Sequence, residues 1–259
     1  KQRSNMKTIA ALDLNPALVG QSLQQLDNQL SYDVIVNDSL DELMLNTRPD
    51  VAILTTVSDM NRITPKIEAF VSHGIPVIST CEELSFPWNT APALAQRIDL
   101  AAKANNVAVV GTGVNPGFLM NAFPSFLTSV CQEVTSVQIN RIQDASYRRL
   151  PFQQKIGAGL SLTAFEKRKK QGTLRHVGLT ESIQFIANQL GWKLDKVEDI
   201  ISPVVTPEAI KTDQLNIPAG YACGVHQIGK GWVAGQQCIT LNFKAAVNEA
   251  TSFDEVKII

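Results

Sequence analysis

Residues 51–80 read VAILTTVSDMNRITPKIEAFVSHGIPVIST, and the order of signals inside this stretch decides the fold. Val51 to Thr56 is a continuous apolar run ending in two threonines, introduced by the turn formers Arg48-Pro49-Asp50. Ile63, Ile67, Phe70 and Val71 then fall at i, i+4, i+7 and i+8, one face of a helix, and Gly74 supplies its stop. Val77 to Thr80 is a second short apolar run. Runs that are apolar throughout, rather than alternating, belong to strands covered on both faces. Strand, helix, strand in this order predicts a parallel sheet with crossover helices.

The pattern extends in both directions. Thr8 to Asp13 and Asp33 to Asn37 read as earlier strands, and Val107 to Gly111 as a later one. A further helix is expected to open near Asn89-Thr90, with Pro92 in its first turn and Leu94, Ile98 and Ala101 on one face. Residues 1–134 are therefore expected to form a doubly wound, Rossmann-type α/β domain. From Thr135 the rhythm changes. Thr135 to Arg141 alternates like a half-buried strand, helices are expected over Leu162–Lys170 and Ser182–Leu190, and glycine-punctuated strands end with Gln237–Lys244. Residues 135–259 read as an α+β substrate and oligomerisation domain on a largely antiparallel sheet, with a homodimer expected. Trp192 and Trp232 are expected to be core or interface anchors.

Composition narrows the function classes. The 259 residues are 44% hydrophobic with a formal net charge of -1, so no basic field draws nucleic acid or anionic lipid. The basic run Glu166-Lys167-Arg168-Lys169-Lys170 reads as a solvated helix face. No apolar run approaches the roughly 20 residues that a membrane-spanning helix needs. Cys81, Cys131, Cys223 and Cys238 lack the spacing of a zinc site, so no metal is expected, and reduced thiols suit a cytoplasmic protein.

In open parallel sheets ligands lie beyond the carboxyl ends of the strands. Those ends carry Asp13, Thr55-Thr56, Thr80-Cys81-Glu82-Glu83 and Gly111-Thr112-Gly113. Asp13 has the place of the acid that bonds the adenosine ribose; the alternative is a turn acid with Asn15-Pro16. In that register the glycine loop falls upstream of Lys1, and Lys1 to Asn5 would be the tail of the first helix. An acid at Asp13 disfavours a 2′-phosphate, so NAD is the expected cofactor and NADP the alternative. Gly111, Gly113, Asn115 and Pro116 are read as a tight loop beside the nicotinamide; the alternative is a domain hinge.

Three segments carry a resemblance. They are Ile78-Ser79-Thr80-Cys81-Glu82-Glu83-Leu84-Ser85-Phe86-Pro87, Gly111-Thr112-Gly113-Val114-Asn115-Pro116-Gly117-Phe118, and Asp144-Ala145-Ser146 with Arg148 through Gly159. In this order the chain resembles 2,4-diaminopentanoate dehydrogenase and native amine dehydrogenases, relatives of dihydrodipicolinate reductase. The resemblance implies NAD(P)-dependent oxidative deamination of a small amine to a ketone and ammonia, reversible as reductive amination. It also implies a usual final return to the nucleotide domain beyond Glu255-Val256-Lys257-Ile258-Ile259. An imine reductase like dihydrodipicolinate reductase and a non-catalytic NAD(P)-binding protein are the alternatives.

Such chemistry needs a carboxylate near the nicotinamide to take a proton from the amine and to favour a cationic iminium. Glu82 and Glu83 are the candidates. Neighbours in an extended segment point opposite ways, and Glu82 is preferred, partly on the resemblance; capping is the alternative for both. Cys81 reads as a small packed residue rather than a nucleophile. A substrate carboxylate would need cations, for which Arg141, Arg148, Arg149 and Lys155 are candidates. His176 could face substrate or be structural, His226 is equally open, and His73 reads as a helix C-terminal cap.

Overall fold

The computed structural model describes residues 5–30, 33–174 and 176–259. The expected helix tail at Lys1 to Asn5 lies outside the described residues but for Asn5, which is in a turn. Two parallel β-systems occupy the first half. β1 (Ala11–Leu12), followed by α1 (Leu23–Leu26), pairs with β2 (Val36–Asn37). After α2 (Leu40–Asn46) come β3 (Ala52–Leu54), α3 (Met60–Ser72), β4 (Val77–Ser79), α4 (Pro92–Ala104) and β5 (Val109–Gly111). The order β3-β4-β5 is parallel, with Ala52 opposite Val77 and Val77 opposite Val109.

The periodicity of α3 has its expected effect: Ile63, Ile67 and Val71 are fully buried and share an apolar cluster with Val77 and Ile98. Asp59 caps the helix by accepting from Arg62 N, and His73 is its C-cap, its ring also 3.2 Å from Asp41. At α4 the cap differs from expectation. Ala91, not Asn89 or Thr90, stands at the N-cap, and Pro92 begins the helix with no side-chain cap.

Residues 114–122 form a wide-turn helical segment broken at Asn115, Pro116 and Gly117, and α5 (Phe123–Thr128) continues it. The second sheet follows. It consists of β6 (Val137–Asp144), β7 (Lys196–Val205), β10 (Ala222–Val233), β11 (Gln236–Ala246) and β12 (Phe253–Ile258), in the order β12-β6-β11-β10-β7. Only β6 and β11 run parallel within it; the other neighbours are antiparallel. Between β6 and β7 lie α6 (Leu150–Lys155), α7 (Leu162–Lys170) and α8 (Leu179–Gln189). A small hairpin of β8 (Ile210–Lys211) and β9 (Asn216–Ile217) completes the chain.

α8 lies close to β10 because the strand has no side chain at two facing positions. A Cβ at Gly229 or at Gly231 would stand 2.9 Å from Ile183. Ile183, Ile186 and Leu179 thereby join Phe165, Phe243 and Ile139 in a second apolar cluster, which also takes in Met120. Among the described residues, no helix is long and apolar enough to cross a membrane, and no cluster of three His, Cys, Asp or Glu side chains could hold a metal.

Candidate active site

The end of β4 is fixed by its neighbours before it turns. Thr80 N and Ser79 Oγ donate to Leu54 O (3.0 and 3.2 Å), and Cys81 N donates to Ser79 Oγ (3.1 Å). A single turn of 3₁₀ helix, Glu82–Ser85, follows, and Gly111 on β5 crosses so close to it that a Cβ there would overlap Leu84 O. The two acids diverge. Glu83 Oε2 accepts from Met60 N at 2.8 Å, so that carboxylate serves the start of α3, the capping alternative. Glu82 turns the other way, and its Oε1 lies 3.8 Å from Lys155 Nζ at the end of α6. Cys81 is buried, and burial raises its thiol pKa to about 12, which keeps it protonated.

On the opposite side stands His176. Gln227, fully buried on β10, holds the backbone of this residue from both sides: Oε1 accepts from His176 N (2.6 Å) and Nε2 donates to His176 O (3.2 Å). Gln227 Nε2 also donates to both Asp199 carboxylate oxygens (2.7 and 2.9 Å). The imidazole stacks on Phe243 at 4.2 Å and accepts at Nε2 from the Asn115 amide nitrogen (2.8 Å), which leaves its proton on Nδ1. Burial first, then the charges of Lys155 and Arg141, push its pKa down to about 3, so the ring is neutral.

The broken segment carrying Asn115 is locked by side chains from two elements. Asn121 Oδ1 accepts from Gly117 N and from Ser182 Oγ of α8, both at 2.8 Å. Pro116 packs under Gly178, whose φ of +103° and lack of a Cβ let the two touch. Among the described residues, Asn115 Oδ1 is buried without a hydrogen-bond partner, as is Asn121 Nδ2. A buried acceptor left open in this way is costly unless a ligand completes it.

The remaining sequence-derived residues are distributed unevenly. Asp13 is exposed and its Oδ1 accepts from Asn15 N (2.8 Å), so one carboxylate oxygen serves the local turn. Thr55, Thr56 and Thr80 are exposed at the strand ends, and Lys66 Nζ donates to Thr56 Oγ1 at 3.2 Å. Arg141 is 12% exposed and donates to Asp254 on β12 at 2.8 Å, so its guanidinium is engaged within the sheet. Arg148 is exposed with its guanidinium over the Phe152 ring, and Arg149 is exposed at the N-cap of α6. Glu82, Lys155, His176 and Asn115 thus come together, while Arg148 and Arg149 lie at the far end of α6. The basic run is less solvated than its sequence suggests, because Arg168 and Lys169 are half-buried and Arg168 donates to Gln154 O at 3.2 Å.

Gln227, Asp199, Asn121, Ser182 and Arg168 are absent from the sequence-derived site. Asn121 and Gln227 do have a signal, each a polar residue on an otherwise buried apolar face. Arg168 has none, because its neighbours in sequence are all charged.

With this geometry in view, the comparisons become specific. Residues 118–254, more than half of the chain, match the model of the 2,4-diaminopentanoate dehydrogenase C-terminal domain. The chain belongs to this family. A 2,4-diaminopentanoate dehydrogenase of Acetoanaerobium sticklandii is 35% identical over 212 residues, 81% of this chain and 60% of that protein. The chain therefore spans 60% of the length of that relative. The fold of this 2,4-diaminopentanoate dehydrogenase-family chain is that of an amine dehydrogenase from Mycobacterium smegmatis, at TM-score 0.83 and 18% identity over 97% of this chain and 75% of the other. An oxidoreductase from Agrobacterium radiobacter, solved with NAD+, matches at TM-score 0.55 and 10% identity over 96% and 63%. At these identities the likeness is one of fold. Lys155, His176 and Gln227 lie inside the family segment, and Glu82 lies before it.

Proposed function

We propose that this chain forms the reacting part of an NAD(P)-dependent amine dehydrogenase that converts a small amine such as 2,4-diaminopentanoate to the ketone and ammonia. The observation that carries the reading is the Glu82 carboxylate, held at a parallel-strand end and facing Lys155 beside a neutral imidazole. Family membership and the name of the Acetoanaerobium relative supply the substrate class.

The residues fit a dinucleotide along the strand ends. Asp13 would meet the adenosine ribose, Thr55, Thr56 and Thr80 offer exposed hydroxyls, and Cys81, Gly111, Gly113 and Pro116 would contribute backbone surface. Asn115 Oδ1, buried and open, suits a carboxamide N–H. A nicotinamide held by these residues would supply the acceptor for the hydride on the carbon that bears the nitrogen. Glu82 first accepts the proton that frees the substrate amine and passes it to solvent; as a carboxylate again, it favours the cationic iminium left after hydride loss. It then takes a proton from the water that adds to that carbon and returns it to the nitrogen, and ammonia leaves as the new hydroxyl gives up its proton to Glu82 and the carbonyl forms. His176 stays neutral through these steps and adds no repulsion against the cation.

Residues 1–134 are taken as the nucleotide domain and 135–259 as the substrate domain. A homodimer across the outer face of the second sheet belongs to the same reading, supported by Ile200, 41% exposed there. A cytoplasmic location is in keeping with four unpaired cysteines.

The test uses the whole protein that carries this chain, with 2,4-diaminopentanoate and either NAD or NADP, following reduced-cofactor absorbance. Turnover with loss of about 100-fold or more in kcat for Glu82→Gln is expected. No turnover with either cofactor overturns the activity, and an unchanged rate in the variant overturns the base.

A further inference from the structure

We infer that the cavity between α6, α7 and the β8–β9 hairpin receives an anionic end of the substrate, a carboxylate held by Arg168 and Lys155. This deepens the amine-dehydrogenase reading and rests on it. The cavity has a volume of about 550 Å³ and is lined by Pro151, Lys155, Leu160, Arg168, Leu215 and Asn216, among others. None of its lining residues is acidic, and two are cations. Among the described residues no carboxylate pairs with Arg168: Glu166, its neighbour in sequence, turns to Lys169 at 3.7 Å. Among the described residues the guanidinium of Arg168 makes one hydrogen bond, Nη1 to Gln154 O, which fixes it and leaves its other N–H groups for a ligand. A planar fork of this kind matches a carboxylate better than an ammonium does.

Lys155 joins the cavity to the reacting carboxylate. It lines the cavity, and its Nζ stands 3.8 Å from Glu82, beyond a direct hydrogen bond. A molecule whose carboxylate lies a few bonds from its reacting nitrogen could place the nitrogen at Glu82 and the carboxylate past Lys155, toward Arg168. Pro151, Leu160 and Leu215 give the connecting carbons an apolar wall. The arginines that the sequence suggests for this task are otherwise occupied or misplaced, Arg141 on Asp254 and Arg148 over Phe152. Gly159 keeps the entrance clear: it lines the cavity at φ +84°, a conformation that side chains rarely adopt, while its N–H is tied to Ala222 O at 2.8 Å.

The experiment compares 2,4-diaminopentanoate with butane-1,3-diamine, the same skeleton without the carboxylate, in the whole protein and its Arg168→Leu and Arg168→Gln variants. Arg168→Gln keeps a polar N–H donor and removes the charge and the guanidinium fork. Both variants should raise KM for the diamino acid by about 10- to 100-fold with kcat little changed, and leave kcat/KM for the diamine as it was. Calorimetric binding of the diamino acid, read without turnover, should weaken by the same factor. Equal effects on both substrates, or none on the acid, overturn the inference while the activity stands. Binding that depends on Arg168 without turnover of any amine overturns the activity and leaves the cavity assignment. Neither binding nor turnover overturns both.

Discussion

Replacing His176 by glutamine should remove much of the acid sensitivity of the folded chain. Native His176 has a pKa of about 3 against an ordinary 6.5, because burial, and then Lys155 and Arg141, oppose the imidazolium. The unfolded chain takes up a proton at 6.5 that the folded one refuses until about 3. Between those values the unfolded state binds more protons, so stability falls as pH falls, by about 1.4 kcal/mol per unit. From neutral pH to about pH 5 the loss assigned to this ring is about 2 kcal/mol, a large share of the stability of an ordinary domain. The window ends there because carboxylates begin to take protons below it. Urea unfolding followed by tryptophan fluorescence, at neutral pH and at about pH 5, gives the two free energies for each protein. The readout is the difference between the pH slopes of wild type and His176→Gln, whatever the variant costs at neutral pH. Slopes that agree within about 0.5 kcal/mol, or an NMR titration placing the His176 pKa near its ordinary value, would refute the account of the buried neutral ring.

Three further outcomes follow from packing and burial. Gly178→Ala places a Cβ against Pro116 at a φ of +103° and should lower stability by about 1–3 kcal/mol or more, read as a drop in Tm. Phe165→Ala, at a fully buried position, should cost about 3–5 kcal/mol, whereas Phe126→Ala, 70% exposed, should change stability by no more than about 0.5 kcal/mol; chemical denaturation of the pair tests both. Under native conditions at neutral pH a thiol reagent should label exposed Cys131 and spare Cys81, whose pKa is raised to about 12; mass spectrometry showing Cys81 labelled as fast would contradict its burial.

Elements with a strong period were legible in the residues. α3 presents Ile63, Ile67 and Val71 inward as the spacing requires, and α7 spans Leu162–Lys170 as expected. The helical segment at 114–122 was not, because Gly113, Pro116 and Gly117 are turn signals and the broken geometry has no period to detect. α6 was hidden in the same way behind Arg148-Arg149 and Pro151, although a proline in the first helical turn is favourable. β7 carries Lys196, Glu198, Asp199 and Pro203, which masks its alternation.

The site was half legible. Strand-end logic leads to Glu82, since polar residues gather where parallel strands stop. It does not say which of Glu82 and Glu83 turns inward, because that depends on the contact of Glu83 with Met60 N. Asn115 and His176, read separately from the sequence, bond to one another across 61 residues. Such pairings arise from tertiary packing and leave no local trace. Arg168 is the plainest case, a cation among cations, distinguished only by the helix face on which it stands.

The contact of Pro116 with Gly178 has a mechanical meaning. With no room for another atom between them, the two segments are held in direct contact at this point. Asn121 bonds Ser182 of α8 close by at 2.8 Å, and an edge-on Phe86–Phe185 pair at 6.0 Å and the exposed Asn89–Gln184 bond join the same parts of the chain. Asn115, adjacent to this contact, holds His176 at 2.8 Å. Glu82 and Lys155, by contrast, are joined only by a loose charge contact at 3.8 Å. The candidate site is thus bounded on one side by close packing and a hydrogen bond and on the other by a long ion pair.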